Sequence, residues 1–414
     1  MDKSKFDIAI IGGGASGLSA AINAKRANKK ASVVIIERLP KTGKKLLATG
    51  NGRCNLSNTD MHGHYYGSCV NLLTRKTSFS VTDFFASLGV LCEDDGYGRI
   101  YPRCRSAASV LDALRLECAK LGVTEICGFE VKKIDTQNGF TVSSDSDSIK
   151  ARSVILAGGG KSQPALGSNG SLLDICAGLG IKIVTPYPAL VPLKTEPALV
   201  KPLKGQRTDA NVTMWGYIPT AFREGCISSE RGEVQFTDGF ISGICVFDLS
   251  IWYRGQEGWE LRLDLLPDMS DEELITMLHE TQRIRADTAP EDWLSGIFTR
   301  TIGIYILKRA LGRLPAKTRD ITNLKKIAST IRALSFPITG TAGFDRSQVT
   351  GGGISYELGD QITKRFELIK FPGMYACGEI LDINGDCGGY NLDFAFTSGA
   401  IAGRNAASDL EKRK

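Results

Sequence analysis

The chain has 414 residues, more than one hydrophobic core usually supports, so two or three domains are expected. Its 42% hydrophobic and 23% charged residues are those of an ordinary globular protein, and no segment is long and apolar enough to span a bilayer. The net charge is +6, but Lys and Arg are scattered along the whole length, which argues against a nucleic-acid partner.

The eleven cysteines include no C-x-x-C pair and no metal-ligand cluster, so no metal site is expected. An odd count of thiols fits a reducing cytosol, and a cytoplasmic location is expected. The apolar run near the N-terminus leads straight into glycines, which reads as a strand rather than a signal peptide.

That run, residues 6–11, is β-branched and gives way to GGGASG at 12–17 and a helix from 18 onward. Gly12, Gly14 and Gly17 satisfy G-x-G-x-x-G, with Ala15 and Ser16 between them. The first glycine makes the tight turn, the second admits a diphosphate to the backbone, and the third lets helix pack on strand. The anion then sits at the positive end of the helix. A second strand over 32–36 ends at Glu37, 20 residues after Gly17, followed by Arg38. A carboxylate at Glu37 accepts both ribose hydroxyls of an adenosine and repels a 2'-phosphate, which favours FAD or NAD over NADP at this site.

Next comes a glycine-rich basic loop over 43–55, in which Lys44, Lys45, Leu46, Gly52, Arg53, Cys54 and Asn55 are candidates for wrapping the diphosphate or the flavin end. Helices are predicted over 81–88 and 106–121, with GYGRIYP as a turn between them, then short strands over 123–142 that carry a further candidate contact at Val131. The strand over 153–157 ends in Ala157, Gly158, Gly159 and Gly160, which let the chain pass close to a ligand. A proline-marked linker from 188 leads to strand-like alternation over 209–264. A capping box at Ser270 and Glu273 then opens a helical stretch reaching about 334.

The chain returns to the cofactor domain at 344–353. A strand over 374–377 is followed by Gly378, Glu379, Asp382, Gly389, Tyr390, Asn391 and an apolar helix over 392–407. Glu379 or Asp382 would hold a ribityl chain, and the helix N-terminus would face the pyrimidine end of a flavin, where negative charge gathers on reduction. An NAD enzyme has no ribityl chain to hold, so FAD is the expected cofactor. The expected organisation is a cofactor domain over 1–188 and 340–414, an inserted β domain over 189–268, and a helical segment with a return strand over 269–339.

GGGASGL, GKKLLATGNGRCN, GRIYP, LAGGGKSQPALGSNG, GEVQFTDGFISG, VTGGGIS and GEILDINGDCGGYNLDFAFTSGAIAG occur in this order and span nearly the whole chain. Together they resemble the HI0933-type flavoproteins, the BaiN-like or aminoacetone-oxidase-like FAD family. The resemblance implies an α/β fold: a discontinuous Rossmann-like FAD-binding domain of the two-dinucleotide-binding type, an inserted β-barrel-like domain and a small helical domain. It also implies bound FAD, reduction by NADH or NADPH, and, for some relatives, saturation or desaturation of carbon–carbon bonds in steroid-like acids. The sequence departs from the family at Ser16, where alanine is usual, at Cys387, where threonine is common, and at Ile244-Cys245, where a proline often follows ISG.

The expected chemistry is hydride transfer from a nicotinamide to the flavin and on to an electron-poor carbon of a small organic substrate. A side chain supplies the proton. Tyr390 is either that donor or a plain anchor. Tyr101, beside Arg99, either binds a substrate carboxylate or accompanies a structural salt bridge. Cys54 is either a thiol whose pKa Arg53 lowers or a buried space-filler, and a disulfide from Cys54 to Cys387 is conceivable. His62 and His64 read as a polar loop rather than a metal clip. Two other readings stay open: an FAD enzyme acting on RNA, and a flavin-loaded redox sensor.

Overall fold

The structure, a computed structural model, describes residues 4–72, 79–356 and 361–412. The chain divides into two compact units, Met1–Pro188 with Ser347–Lys414, and Ala189–Arg346. The expected division placed the second crossing at 340 and set the helices apart from the inserted strands. In the structure the crossing falls at 347, and strands and helices of 189–346 share one core.

The first unit is built on a parallel sheet. Lys5–Ile11 lies between Val33–Glu37 and Ser148–Leu156, with Thr124–Cys127 beyond the former and Met374–Ala376 beyond the latter. Strands buried on both faces have no polar alternation, as in VVIIE at 33–37. Ser148–Leu156 shows both regimes. Its first half alternates exposed and buried where it pairs antiparallel with Phe140–Ser143, and its last four residues are wholly buried where it pairs parallel with Met374–Ala376. Because the strands are parallel, Ile11, Glu37, Leu156 and Ala376 end at one edge. Ligands of open α/β sheets bind at that edge, where the strand order reverses.

The two ends of the polypeptide meet in this unit. Helix Ala15–Ala27 packs on the C-terminal helix Tyr390–Asp409 through small residues. A Cβ at Gly399 would fall 2.3 Å from the Ser16 carbonyl oxygen, and one at Gly403 would fall 2.2 Å from that of Ala20. The Ser19 hydroxyl donates to the Phe396 carbonyl at 2.7 Å. At the far end of the C-terminal helix, Asp409 accepts from Tyr375 at 2.7 Å and from Arg365 at 2.8 Å. Burial pushes its carboxyl up, but the donors Tyr375, Arg365 and Lys412 outweigh it and hold the group below its ordinary value. A lowered carboxyl pKa contributes stability that is present above the unfolded value of about 3.9 and lost as pH falls through the folded value. Asp409→Asn is therefore expected to lower the urea midpoint at pH 7, with the gap to wild type narrowing below about pH 4.

Several local expectations shift. The GRIYP turn is in fact strand Arg99–Pro102, paired with Ser57–Asn58 on one side and Cys92–Asp94 on the other. The predicted helices are Val81–Ala86 and Ala107–Lys120, each capped by a serine hydroxyl. Residues 73–78, just before the first of them, lie outside the described residues.

In the second unit, an antiparallel ladder runs from Leu334–Pro337 through Glu260–Asp264, Arg207–Ile218, Arg223–Phe236, Phe240–Ser242 and Leu193–Lys194 to Gly340–Thr341. Its two end strands are neighbours in sequence. Between them Ile338 N–H donates to Trp259 O and Thr339 N–H to Lys194 O. One segment, 334–341, thus joins both edges and closes the sheet on itself. The expected capping box forms at Ser270 and Glu273, opening helix Asp271–Ile284, which buries Leu274 and Leu278 in the shared core.

Candidate FAD site

The glycine loop leaves the carboxyl end of Lys5–Ile11. Gly12 has φ +108°, and a Cβ there would fall 2.3 Å from the Ala157 carbonyl oxygen, while one at Gly17 would fall 1.9 Å from that of Gly12. These two glycines let loop, helix and neighbouring strand end pack together. Gly14 differs: it is the N-cap of Ala15–Ala27, no side chain caps it, the first turn has no acid, and its Cβ position faces open space. An uncapped helix N-terminus over open space is where a diphosphate would bind.

Glu37 is already oriented. Its Oε2 accepts from Gly13 N–H and its Oε1 from Leu39 N–H, both at 2.8 Å. A carboxylate has about four acceptor sites, so capacity is left for ribose hydroxyls. Val131 is buried in the segment whose Phe129 N–H donates to the Glu37 carbonyl, which places it beside the same strand end. Glu37→Ala would strip both backbone donors of their acceptor. It is expected to cost about 1–3 kcal/mol of stability by urea unfolding and to weaken FAD binding by calorimetry.

The cations of the expected wrapping loop are largely committed to the protein. Arg38 donates to Gly167 O and Lys44 to Ala165 O, tying strand end and loop to the turn after Gly158-Gly159-Gly160. Lys45 pairs with Glu379 at 2.7 Å, and the other Glu379 oxygen accepts from Thr350 N–H. Leu46 is buried at the start of the short helical turn Leu46–Gly52, Gly52 has φ +80°, and Arg53 is exposed. With both Glu379 oxygens engaged, Asp382 is the better-placed of the two expected ribityl acids. Its Oδ2 accepts from Ser68 N–H, and its Oδ1 is buried without a partner.

That oxygen belongs to a pattern. Of the eleven buried side-chain N and O atoms without a partner among the described residues, five belong to Asn55, Asp382, Asn384 and Asp386. Native interiors satisfy such atoms, so a cluster of them calls for a polar ligand. Gly389 caps Tyr390–Asp409 without a side-chain cap, and a Cβ there would meet the Ser57 carbonyl at 2.3 Å and Asn55 Oδ1 at 2.8 Å. Asn58 donates to Gly388 O. The GNGRCN loop and the second glycine element therefore meet at the start of the C-terminal helix. Gly378, at φ +75°, lies against Ser16, joining that element to the first glycine loop. The residues present fit FAD: a diphosphate site at Gly14, a ribose acceptor at Glu37, and unsatisfied polar groups for a polyhydroxyl chain and a flavin edge.

The expected proton donors fare unequally. Cys54 is fully buried, and burial pushes its thiol up to about 12, so of its two readings the buried space-filler fits and a thiol activated by the exposed Arg53 does not. Cys54 and Cys387 are both free thiols, and no disulfide joins them. Arg99 pairs with Asp95 at 2.7 Å, and it is Arg105 whose guanidinium lies over the Tyr101 ring at 4.4 Å. Tyr390 is buried, stacked on His64 and met edge-on by Tyr65. Asn391 spends its amide on Gly385 N–H, Gly385 O and Asp386 O, fixing the turn before the helix. The reading of His64 as a loop residue missed its pairing with Asp386. Sequence also gave no sign of Asn384 or of the Ser57 bond to Asp393 at 2.5 Å.

Fold and site together define an FAD-dependent oxidoreductase with a Rossmann-like FAD-binding fold. The sequence pattern of the HI0933-like protein Rossmann domain matches residues 6–405, and the chain belongs to that family. It is 36% identical to a 3-dehydro-bile acid delta(4,6)-reductase of Clostridium scindens over 417 residues, 97% of this chain and 98% of the relative. It is 27% identical to a ribosomal RNA dihydrouridine synthase of Escherichia coli over 413 residues, 95% of this chain and 96% of that one. Among solved structures, a 3-ketosteroid-delta4-(5alpha)-dehydrogenase from Rhodococcus jostii RHA1 aligns over 98% of this chain and 97% of its own, at 16% identity and a TM-score of 0.47. No helix among the described residues is long and apolar enough to cross a membrane.

Proposed function

We propose that the protein is an FAD-dependent reductase, fed by NADH or NADPH, that saturates an activated carbon–carbon double bond in a small organic substrate. The observation that carries this reading is the end-to-end similarity to a bile acid delta(4,6)-reductase. Bound FAD would supply the hydride. The protein's part is to hold and polarise: Gly14 and the helix behind it bind the diphosphate, Glu37 the ribose, and Asp382 a ribityl hydroxyl. The N-terminus of Tyr390–Asp409, which has no side-chain cap, would favour negative charge on a flavin held there.

A second reading is favoured by the ribosomal RNA dihydrouridine synthase similarity, since that name too describes saturating a double bond. The substrate would then be a uracil in RNA, and binding would weaken steeply with salt. Anaerobic reduction by each nicotinamide, followed by mixing with a 3-oxo-Δ4 steroid acid, a uridine-containing ribosomal RNA fragment or oxygen, separates the cases. The proposal expects rapid reoxidation by the steroid enone with a saturated product. Reoxidation by RNA alone would replace it with the second reading, and reoxidation by oxygen alone would make the protein an oxidase.

A further inference from the structure

We propose that His64 is the proton donor to the substrate carbon, acting from Nε2, with Asp386 as its positioning residue; this rests on the reductase reading above. Strand Tyr65–Tyr66 pairs antiparallel with Asn384–Gly385, and Asp386 N–H donates to the His64 carbonyl at 3.1 Å. This pairing of two strands distant in sequence brings the two side chains together. His64 Nδ1 lies 2.9 Å from Asp386 Oδ2, and the Tyr66 hydroxyl donates to the same oxygen at 3.3 Å. The imidazole stacks on Tyr390, the first residue of the C-terminal helix, with ring centroids 4.6 Å apart.

A structural His–Asp pair would satisfy its own polar atoms, and this corner does not. Asp386, 8% exposed, keeps Oδ1 buried without a partner, and Asn384, 1% exposed, has neither amide atom satisfied. Such groups call for a polar ligand at this corner. Burial pushes the Asp386 carboxyl up, opposed by the hydrogen bonds from His64 and Tyr66. Donation of Nδ1–H to Asp386 fixes the tautomer and leaves Nε2 to carry the exchangeable proton. Asp60 Oδ2 lies 3.8 Å from Nε2, and Tyr65, Tyr66 and Tyr390 are the other titratable groups seen around the pair among the described residues.

The step balances. One alkene carbon gains a hydride from the reduced flavin and the other gains the proton from His64 Nε2. The π bond is consumed, and the neutral imidazole is reprotonated from water, which reaches its side chain, 35% exposed. Reduction of the alkene should therefore slow as pH rises and the protonated donor is lost.

The test uses FAD-loaded protein and its His64→Gln and Asp386→Asn variants. The chain has only three histidines, so His64→Gln assigns the His64 imidazole resonances in an NMR spectrum. Asp386→Asn is expected to shift the His64 ring-nitrogen resonances, because the carboxylate that orients the ring and fixes its tautomer is replaced. In His64→Gln, the ratio of enone-driven to oxygen-driven flavin reoxidation should fall by about 100-fold or more, with the basic limb of the pH profile lost. An unchanged ratio in His64→Gln, or His64 ring-nitrogen resonances unmoved by Asp386→Asn, overturns the assignment. Failure of the wild-type protein to reduce any activated alkene overturns the reductase reading instead.

Discussion

Gly14→Ala is expected to fold like wild type and yet to bind FAD roughly 100-fold more weakly, a loss of about 2.8 kcal/mol. The backbone at Gly14 has φ −81°, and no atom lies within 4 Å of the added Cβ, so the apo protein has no reason to resist the substitution. The methyl group instead occupies the space through which a diphosphate would reach the helix N-terminus. Gly12→Ala makes the contrast. Its Cβ would strike the Ala157 backbone from a left-handed φ, so it is expected to lose both FAD and on the order of 3 kcal/mol of stability. Calorimetric titration and urea unfolding of the two variants separate a ligand-facing glycine from a packing glycine. Equal FAD affinity in Gly14→Ala and wild type would remove the diphosphate from this loop.

The second large effect concerns the packing of the two chain ends. By helix propensity alone, Gly399→Ala in the middle of Tyr390–Asp409 should stabilise by about 1 kcal/mol. The geometry reverses the sign, because the Cβ would lie 2.3 Å from the Ser16 carbonyl oxygen and must push two helices apart. Overpacking of this kind costs about 1–3 kcal/mol, and Gly399→Ala is expected to destabilise by that amount. Because Ser16 lies in the glycine loop, FAD affinity should fall as well. Gly178→Ala is the control: a helical glycine with nothing within 4 Å, expected to stabilise by roughly 0.4–1 kcal/mol. Thermal unfolding of the three proteins decides the matter, and stabilisation by Gly399→Ala would contradict the packing.

The parts of the site readable from sequence are those with local signals. Strand, glycine turn and helix follow one another within residues 5–27, and Glu37 ends the next strand, so their spacing alone places them at one sheet edge. The second glycine element is equally local, although its helix begins at Tyr390 rather than 392. What sequence could not show is who pairs with whom across the chain. Lys45 meets Glu379 at a separation of 334 residues, Ser57 meets Asp393 at 336, and His64 meets Asp386 at 322. Only the return of the C-terminal segment to the sheet creates these pairs. Cys54 illustrates the same limit: its neighbour Arg53 suggests a reactive thiol, but burial, a tertiary property, dominates and makes it inert. Strand Arg99–Pro102 was read as a turn because both its partners are short and one of them, Ser57–Asn58, is distant in sequence.

Glycines used only for packing were also opaque. VTGGGIS carries no ligand-binding signature, yet a Cβ at Gly351 would meet the Tyr187 ring at 2.2 Å and one at Gly353 the Ile380 carbonyl at 2.5 Å. These residues let Val349–Ile354 pass close behind the Gly378–Ile380 turn. Thr350 in the same strand accepts from Lys161 and Ser162 N–H, anchoring the loop after Gly158-Gly159-Gly160.

The most direct measurement is a titration of the folded apo protein with FAD, followed by calorimetry and by the flavin absorbance bands. Binding of one FAD per chain, weakened roughly 100-fold in Gly14→Ala while that variant stays folded, is the predicted result. A folded wild-type protein that takes up no FAD would contradict a cofactor cradle formed by the two ends of the chain.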